Sequence, residues 1–212
     1  MTGSSDAQKT FWLSEQPLIL ASRSQARIAL LRSAHIPVES MPSEVDERAL
    51  ELDAVSRGRT PSDIALLLSK AKAIDVSQRT SDRIVVGADQ ILSLAGGILH
   101  KPKDKGELNR RLHELSGKTH VLYSGMAISL NSKIIYEALD QASLTCRTLT
   151  EEFIERYVEI AGEGALTSVG GYELEAAGRH MFDQVDGQYE TILGLPMLKL
   201  LQCLRDMGLL LA

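Results

Sequence analysis

Aromatic residues are scarce in this chain, with Phe, Trp and Tyr at 4% of 212 residues, so its core has to be built from Leu, Ile, Val and Ala. The two cysteines, Cys146 and Cys203, stand far apart, with no Cys or His partner at zinc spacing. A disulfide framework and a zinc ribbon are thereby excluded, and both cysteines read as reduced core thiols of a cytoplasmic protein. No apolar run approaches the ~20 residues that span a bilayer, which argues against a membrane partner. Met1 to Gln16 lacks the basic and apolar regions of a secretory signal and reads as a flexible N-terminal tail. Positive charge is in deficit, with 23 Lys and Arg against 28 Asp and Glu, so a basic coat for nucleic acid is not expected. Neither a Walker loop, a dinucleotide Gly-x-Gly-x-x-Gly, nor a Gly-x-Ser-x-Gly elbow occurs. The five histidines show no ligand spacing.

What is present, 44% hydrophobic and 24% charged residues, is ordinary for a soluble globular protein with one sizeable core. The stretch Leu18-Ile19-Leu20-Ala21 reads as a buried strand that breaks into a turn with Ser22, Arg23, Ser24 and Arg27. Ser24 is placed to cap a helix from Gln25, and the free N–H groups at that end, with Arg27, make an anion site. Thr60, Pro61 and Asp63 punctuate the start of a second helix, whose apolar stripe leaves Lys70 and Lys72 on different sides. Ile84 to Ala88 reads as a buried strand ending at Asp89-Gln90 and continued by Ile91 to Leu94. Gly96-Gly97 marks a hairpin before Lys101-Pro102, and Asp104 to Leu115 reads as an amphipathic helix. His120 to Ser129 and Lys133 to Arg147 read as long antiparallel strands, and Thr150 opens a helix through Ile160. Gly170 to Gly187 reads as a glycine-rich loop, and Met197 to Met207 as a last helix. The expected fold is α/β, with a central mixed, twisted sheet flanked by helices, two lobes and a cleft between them, in one domain over residues 17–212.

Asp89 is the first chemical candidate, because a carboxylate at the end of a buried strand can hold a divalent metal or take a proton from water. Glu44, Asp46 and Glu47, in an acidic loop, could join it in an oxygen-ligand site suited to Mg²⁺. With Arg27, Lys72 and Lys101 supply enough positive charge for a triphosphate in an otherwise acidic protein.

These pieces together resemble the Maf family of nucleotide pyrophosphatases. The matching motifs are Leu-Ala-Ser-x-Ser-x-x-Arg at 20 to 27, Glu-Val-Asp-Glu at 44 to 47, Lys-Ala at 72 to 73 and Gly-Ala-Asp at 87 to 89. Lys-Pro at 101 to 102, Leu-Ser-Gly-Lys-Thr-His at 115 to 120, Gly-Gly-Tyr at 170 to 172 and Gly-Leu-Pro at 194 to 196 continue the pattern. The resemblance implies a two-lobed fold like that of the Maf and inosine triphosphate pyrophosphatases. It implies cleavage of a nucleoside triphosphate between the α and β phosphates, with Mg²⁺ or Mn²⁺, in a homodimer. It assigns Asp89 as general base and metal neighbour and Glu47 as the second metal-side carboxylate. Arg27, Lys72 and Lys101 would bind phosphates, with Ser22 and Ser24 lining the same turn. Three departures from the commoner family pattern, Ala26 in place of an arginine, Gln90 in place of a threonine and Glu175 in place of a glutamine, look like the branch acting on 7-methyl-GTP. A carboxylate at 175 can accept from guanine N1–H and the 2-amino group and favours a cationic methylated ring. A dTTP or UTP pyrophosphatase of the same family and a non-hydrolytic nucleotide-binding regulator of septum formation remain the alternatives.

Overall fold

The computed structural model describes residues 10–212. The expected flexible tail falls partly outside them, at residues 1–9, and its remainder is anchored. Trp12 is buried, bridges to Leu210, and donates its indole N–H to the Gln16 carbonyl.

One mixed sheet runs through the molecule. In chain order its strands are β1 (Leu18–Leu20), β2 (Val38–Ser40), β3 (Val85–Leu94), β4 (Gly97–Leu99), β5 (Thr119–Leu130), β6 (Lys133–Cys146) and β7 (Phe182–Asp186). In space the order is β2-β1-β3-β5-β6-β7, with β4 paired to β3. The β1 pairings to β2 and β3 are parallel and the others antiparallel. The glycine-rich stretch expected as loop contains β7, in which Phe182 is half-buried and Asp183, Gln184, Val185 and Asp186 are all exposed, so it gives no apolar run to read.

Helices α1 (Gln25–Ser33), α2 (Glu47–Ser56), α3 (Pro61–Ser77), α4 (Lys105–Leu115), α5 (Glu151–Leu166), α6 (Tyr189–Ile192) and α7 (Met197–Asp206) complete the chain. The Thr60 hydroxyl and Asp63 carboxylate form a reciprocal capping box on α3, and Ser24 caps α1, both at the expected residues. Sequence reading missed α2: the acidic loop is its start, where Asp46 caps Ala49 N–H.

The apolar core has two large halves joined by the sheet. In one, Leu18, Leu20, Val86, Met126 and Ile128 pack with Leu31 of α1 and Leu200 and Leu204 of α7. In the other, Leu92, Leu122 and Leu144 pack with Leu108 and Leu112 of α4 and with Ile154 and Tyr157 of α5. On the opposite face α3 lies against β3 and β5, where Ile64, Ala65 and Leu68 meet Ile91. Cys146 and Cys203 are free and buried, and burial pushes the Cys146 thiol up to about 11.

Candidate active site

The site follows from where strands stop. Along one edge of β3, β1 pairs with Val85 and Val86, and β4 pairs with Leu92 to Leu94. Neither strand covers the stretch between, so the middle of β3 opens at that edge. Asp89 therefore lies in mid-strand, not at a strand end as expected; its access comes from the gap between β1 and β4. A cavity of 1160 Å³ opens here, lined by the Ser22 to Arg27 turn, Glu47, Lys72, Asp89, Gln90, Lys101 and Glu175. Every residue expected at the site by resemblance thus comes to one cleft.

Strand alternation sends Asp89 and Gln90 to opposite faces of the sheet. Asp89 meets α3, where Lys72 Nζ donates to its Oδ1 at 2.5 Å and contacts Glu47 Oε2 at 2.8 Å. Asp89 and Lys72 are each 7% exposed. Burial raises the Asp89 pKa above the ordinary aspartate value, and the Lys72 and Arg27 cations offset this only in part. The result is a carboxylate more basic than a surface one. Lys70, on the other side of α3, pairs with Glu137 and takes no part. Of the remaining acidic candidates, Glu44 pairs with Arg79 and Asp46 is spent as a helix cap.

Arg27 is buried and largely committed to the protein. Its Nε donates to the Gly194 carbonyl at 2.8 Å, and its Nη1 donates to the Ala88 carbonyl at 2.8 Å and to Ser22 Oγ at 3.2 Å. The guanidinium thus closes the open edge of β3 and ties the Ser22 to Arg27 turn to the Gly194 turn. Burial lowers its pKa while Asp89 and Glu47 oppose the shift, and a guanidinium so placed stays charged. Ser24 Oγ accepts from Arg27 N–H, and Ser22 Oγ accepts from Ser24 N–H. Lys101 reaches the cleft after β4; burial in the cleft wall and the Arg27 and Lys72 cations lower its pKa.

On the other face Gln90 Nε2 lies 2.9 Å from the Thr191 carbonyl, 3.0 Å from the Ile192 carbonyl and 3.0 Å from Ser124 Oγ. Two carbonyls can only accept, which fixes the amide with its NH₂ turned into the protein. Arg48 and Glu51 went unnoticed in sequence: on the cleft rim Arg48 Nη1 contacts Glu51 Oε1 at 2.6 Å and the Nε2 of His100, one of the histidines without ligand spacing, at 2.7 Å. Their signal was available in the Asp46 cap and the apolar Leu50 and Ala54 one helical turn apart.

Among the described residues no group of three or more His, Cys, Asp or Glu side chains forms a ready metal cage. The chemistry of Glu47 and Asp89 nonetheless suits a hard divalent ion. Lys72 engages one oxygen of each carboxylate, and Mg²⁺ is commonly held by one or two carboxylates, with waters and substrate phosphates completing its shell.

The model of the family described as Maf-like protein matches residues 17–207. A nucleoside triphosphate pyrophosphatase of Rhodopseudomonas palustris (strain BisB18) is 44% identical over 201 residues, covering 95% of this chain and 98% of that protein. A 7-methyl-GTP pyrophosphatase of Rhizobium meliloti (strain 1021) is 44% identical over 191 residues, covering 90% and 96%. One from Rhizobium etli is 45% identical over the same length, with the same coverage. Among solved structures, the nucleoside-triphosphatase or dITP/XTP pyrophosphatase of Mycobacterium abscessus covers 92% of this chain and 96% of its own, at 15% identity and a TM-score of 0.42.

Proposed function

This chain belongs to the Maf-like family, and from that membership and the cleft geometry we propose that it is a nucleoside triphosphate pyrophosphatase with 7-methyl-GTP as its preferred substrate class. The observation that carries the reading is the buried Asp89, made more basic by its surroundings, beside Lys72 and Arg27 in an open cleft. Water adds to the α-phosphorus, its proton passes to Asp89, and the bond from that phosphorus to the bridging oxygen breaks. The products are a nucleoside monophosphate and pyrophosphate. Arg27, Lys72 and Lys101 offset the charge that grows on the departing pyrophosphate, and the Ser22 to Arg27 turn offers its N–H groups to the phosphates. A divalent cation held by Glu47 and Asp89 would add Lewis-acid polarisation of the phosphoryl oxygens.

Base choice follows from the other face of β3. With its NH₂ engaged by the protein, Gln90 has its carbonyl oxygen to offer a ligand, and Glu175 offers a carboxylate. Two acceptors suit the N1–H and 2-amino donors of guanine, and the negative charge favours a 7-methylated, cationic ring. A pyrimidine would need a donor for its carbonyls, which a committed Gln90 does not supply. That counts against the dTTP and UTP reading.

A panel of 7-methyl-GTP, GTP, UTP and dTTP, assayed for pyrophosphate with Mg²⁺ or Mn²⁺, tests the proposal. The expected result is pyrophosphate release with 7-methyl-GTP fastest, and a fall of about tenfold or more in its preference over UTP in Glu175→Gln. Release of orthophosphate alone would refute the reaction. Tight triphosphate binding with no turnover would instead favour the non-hydrolytic regulator.

A further inference from the structure

The segment Thr167 to Glu175 supplies one wall of the cleft, including Glu175, although it contains no helix after α5 and no strand. Its shape is nevertheless tightly set. A Cβ on Gly170 would stand 2.2 Å from the Tyr172 ring, and one on Gly178 would stand 2.5 Å from the Glu173 carbonyl oxygen. Gly171 takes φ of +74°, where a side chain would meet Leu108 Cδ1 at 2.5 Å. The Tyr172 side chain is thus folded back over Gly170 and inserted into the core half beneath the cleft.

There the Tyr172 hydroxyl meets His120 Nε2 at 2.6 Å. Tyr172 is 4% exposed and His120 1%, and the surrounding cluster is mostly Leu, Ile and Ala. Phe182 packs edge-on to the Tyr172 ring, with centroids 4.8 Å apart. Two further side chains grip the same segment from behind: Tyr157 donates to the Gly171 carbonyl at 3.2 Å, and Arg111 Nη1 to the Val169 carbonyl at 2.5 Å.

A buried polar pair in an apolar cluster is a poor source of stability, because apolar residues of similar volume fill such a space as well or better. Here the pair also leaves His120 Nδ1 without a partner among the described residues. Its gain is directional: a hydrogen bond holds the tyrosine at one depth and rotation, where apolar contact alone would let it slide. Burial, with Arg111 adding to it, pushes the His120 pKa down to about 4, so the imidazole is neutral and the contact is constant across the physiological range.

We propose that His120 is a positioning residue for base selectivity: through its hydrogen bond to Tyr172 it fixes the 170–178 segment and with it the placement of Glu175 in the cleft. This rests on the reading of Glu175 as the group that takes the base edge.

The test compares full-length wild type with Tyr172→Phe, His120→Leu/Tyr172→Phe, His120→Gln and Glu175→Gln. Each is assayed for kcat and KM on 7-methyl-GTP and UTP and for thermal melting. Tyr172→Phe and the double variant should lose at least about tenfold of the 7-methyl-GTP preference, chiefly through KM, with kcat within about threefold of wild type. His120→Gln, which keeps a hydrogen-bonding side chain opposite the hydroxyl, should recover the preference to within about threefold. The double variant, having no unpaired imidazole, should melt no lower than Tyr172→Phe while staying unselective, which separates positioning from stability. An unchanged preference in folded Tyr172→Phe and double variants would overturn the inference while leaving Glu175 in place if Glu175→Gln is still unselective. An unchanged preference in Glu175→Gln would overturn the base-edge reading and this inference together. Parallel losses of kcat and melting temperature, unrescued by His120→Gln, would reduce the pair to a structural contact and also overturn it.

Discussion

Asp89 is held between Lys72 and Arg27, yet burial outweighs both cations and its pKa lies above the ordinary aspartate value. The folded state therefore binds the Asp89 proton more tightly than the unfolded chain does. Stability from this group is complete below the unfolded value, about 3.9, and is lost as pH rises through the higher folded value. At neutral pH the ionised form is a cost to folding, and it is the form that accepts the proton in the proposed reaction. Asp89→Asn should thus melt at or above wild type at pH 7, with the difference closing near pH 3.5, while kcat falls by about 10²-fold or more. Melting curves at the two pH values and single-substrate kinetics check both halves. In wild type, kcat/KM should fall about tenfold per pH unit below the raised pKa, on an acid limb displaced upward from that of an exposed aspartate. At this scale Ser24, Arg27, Lys72 and Asp89 were legible because motif order carries them. The commitment of Gln90 was not, because its acceptors at Thr191 and Ile192 lie about a hundred residues further along the chain.

Helix α3 delivers Lys72 because two glycines let it approach the sheet. A Cβ on Gly87 would lie 2.2 Å from the Ser69 carbonyl oxygen, and one on Gly125 would lie 2.5 Å from that of Ala65. Both obstacles are backbone, so a methyl group can be accommodated only by moving the helix. Gly125→Ala should therefore cost about 1 to 3 kcal/mol of stability. By drawing Lys72 from its 2.5 Å contact with Asp89 it should also lower kcat/KM severalfold, with KM rising. Denaturant melts and kinetics on the same preparation read both effects. Elements with punctuation were legible, α3 from Thr60, Pro61 and Asp63, and the β5–β6 hairpin from its long β-favourable runs. Helix α2 was hidden because Glu44 to Glu47 reads as a solvated acidic turn until its single cap, Asp46, is recognised. β7 was hidden because pairing with β6, rather than any apolar alternation of its own, makes it a strand.

At the scale of the whole molecule the cleft gathers parts from both halves of the core. The Ser22 to Arg27 turn belongs to the half packed by α1 and α7, and the Glu175 wall to the half packed by α4 and α5. A nucleotide lying across the gap in β3 would touch both, so binding should stabilise the fold as a unit. A 7-methyl-GTP analogue with a methylene group between the α and β phosphates cannot be cleaved at that bond and reports binding alone. At a hundred times its Kd it should add about 2.7 kcal/mol of stability, and for a chain of this length that corresponds to an upward shift in Tm of about 5 to 10 °C. If Glu47 and Asp89 share a divalent cation with the phosphates, chelation by EDTA should remove much of this shift, and Mg²⁺ in excess should restore it. Glu47→Gln should weaken the Mg²⁺-dependent part in particular, because its carboxylate sits on the rim of the cleft and reaches Asp89 through Lys72. A shift of equal size with and without EDTA would mean that the cationic side chains alone hold the triphosphate, and that the carboxylates serve only to orient Lys72 and accept the proton from water.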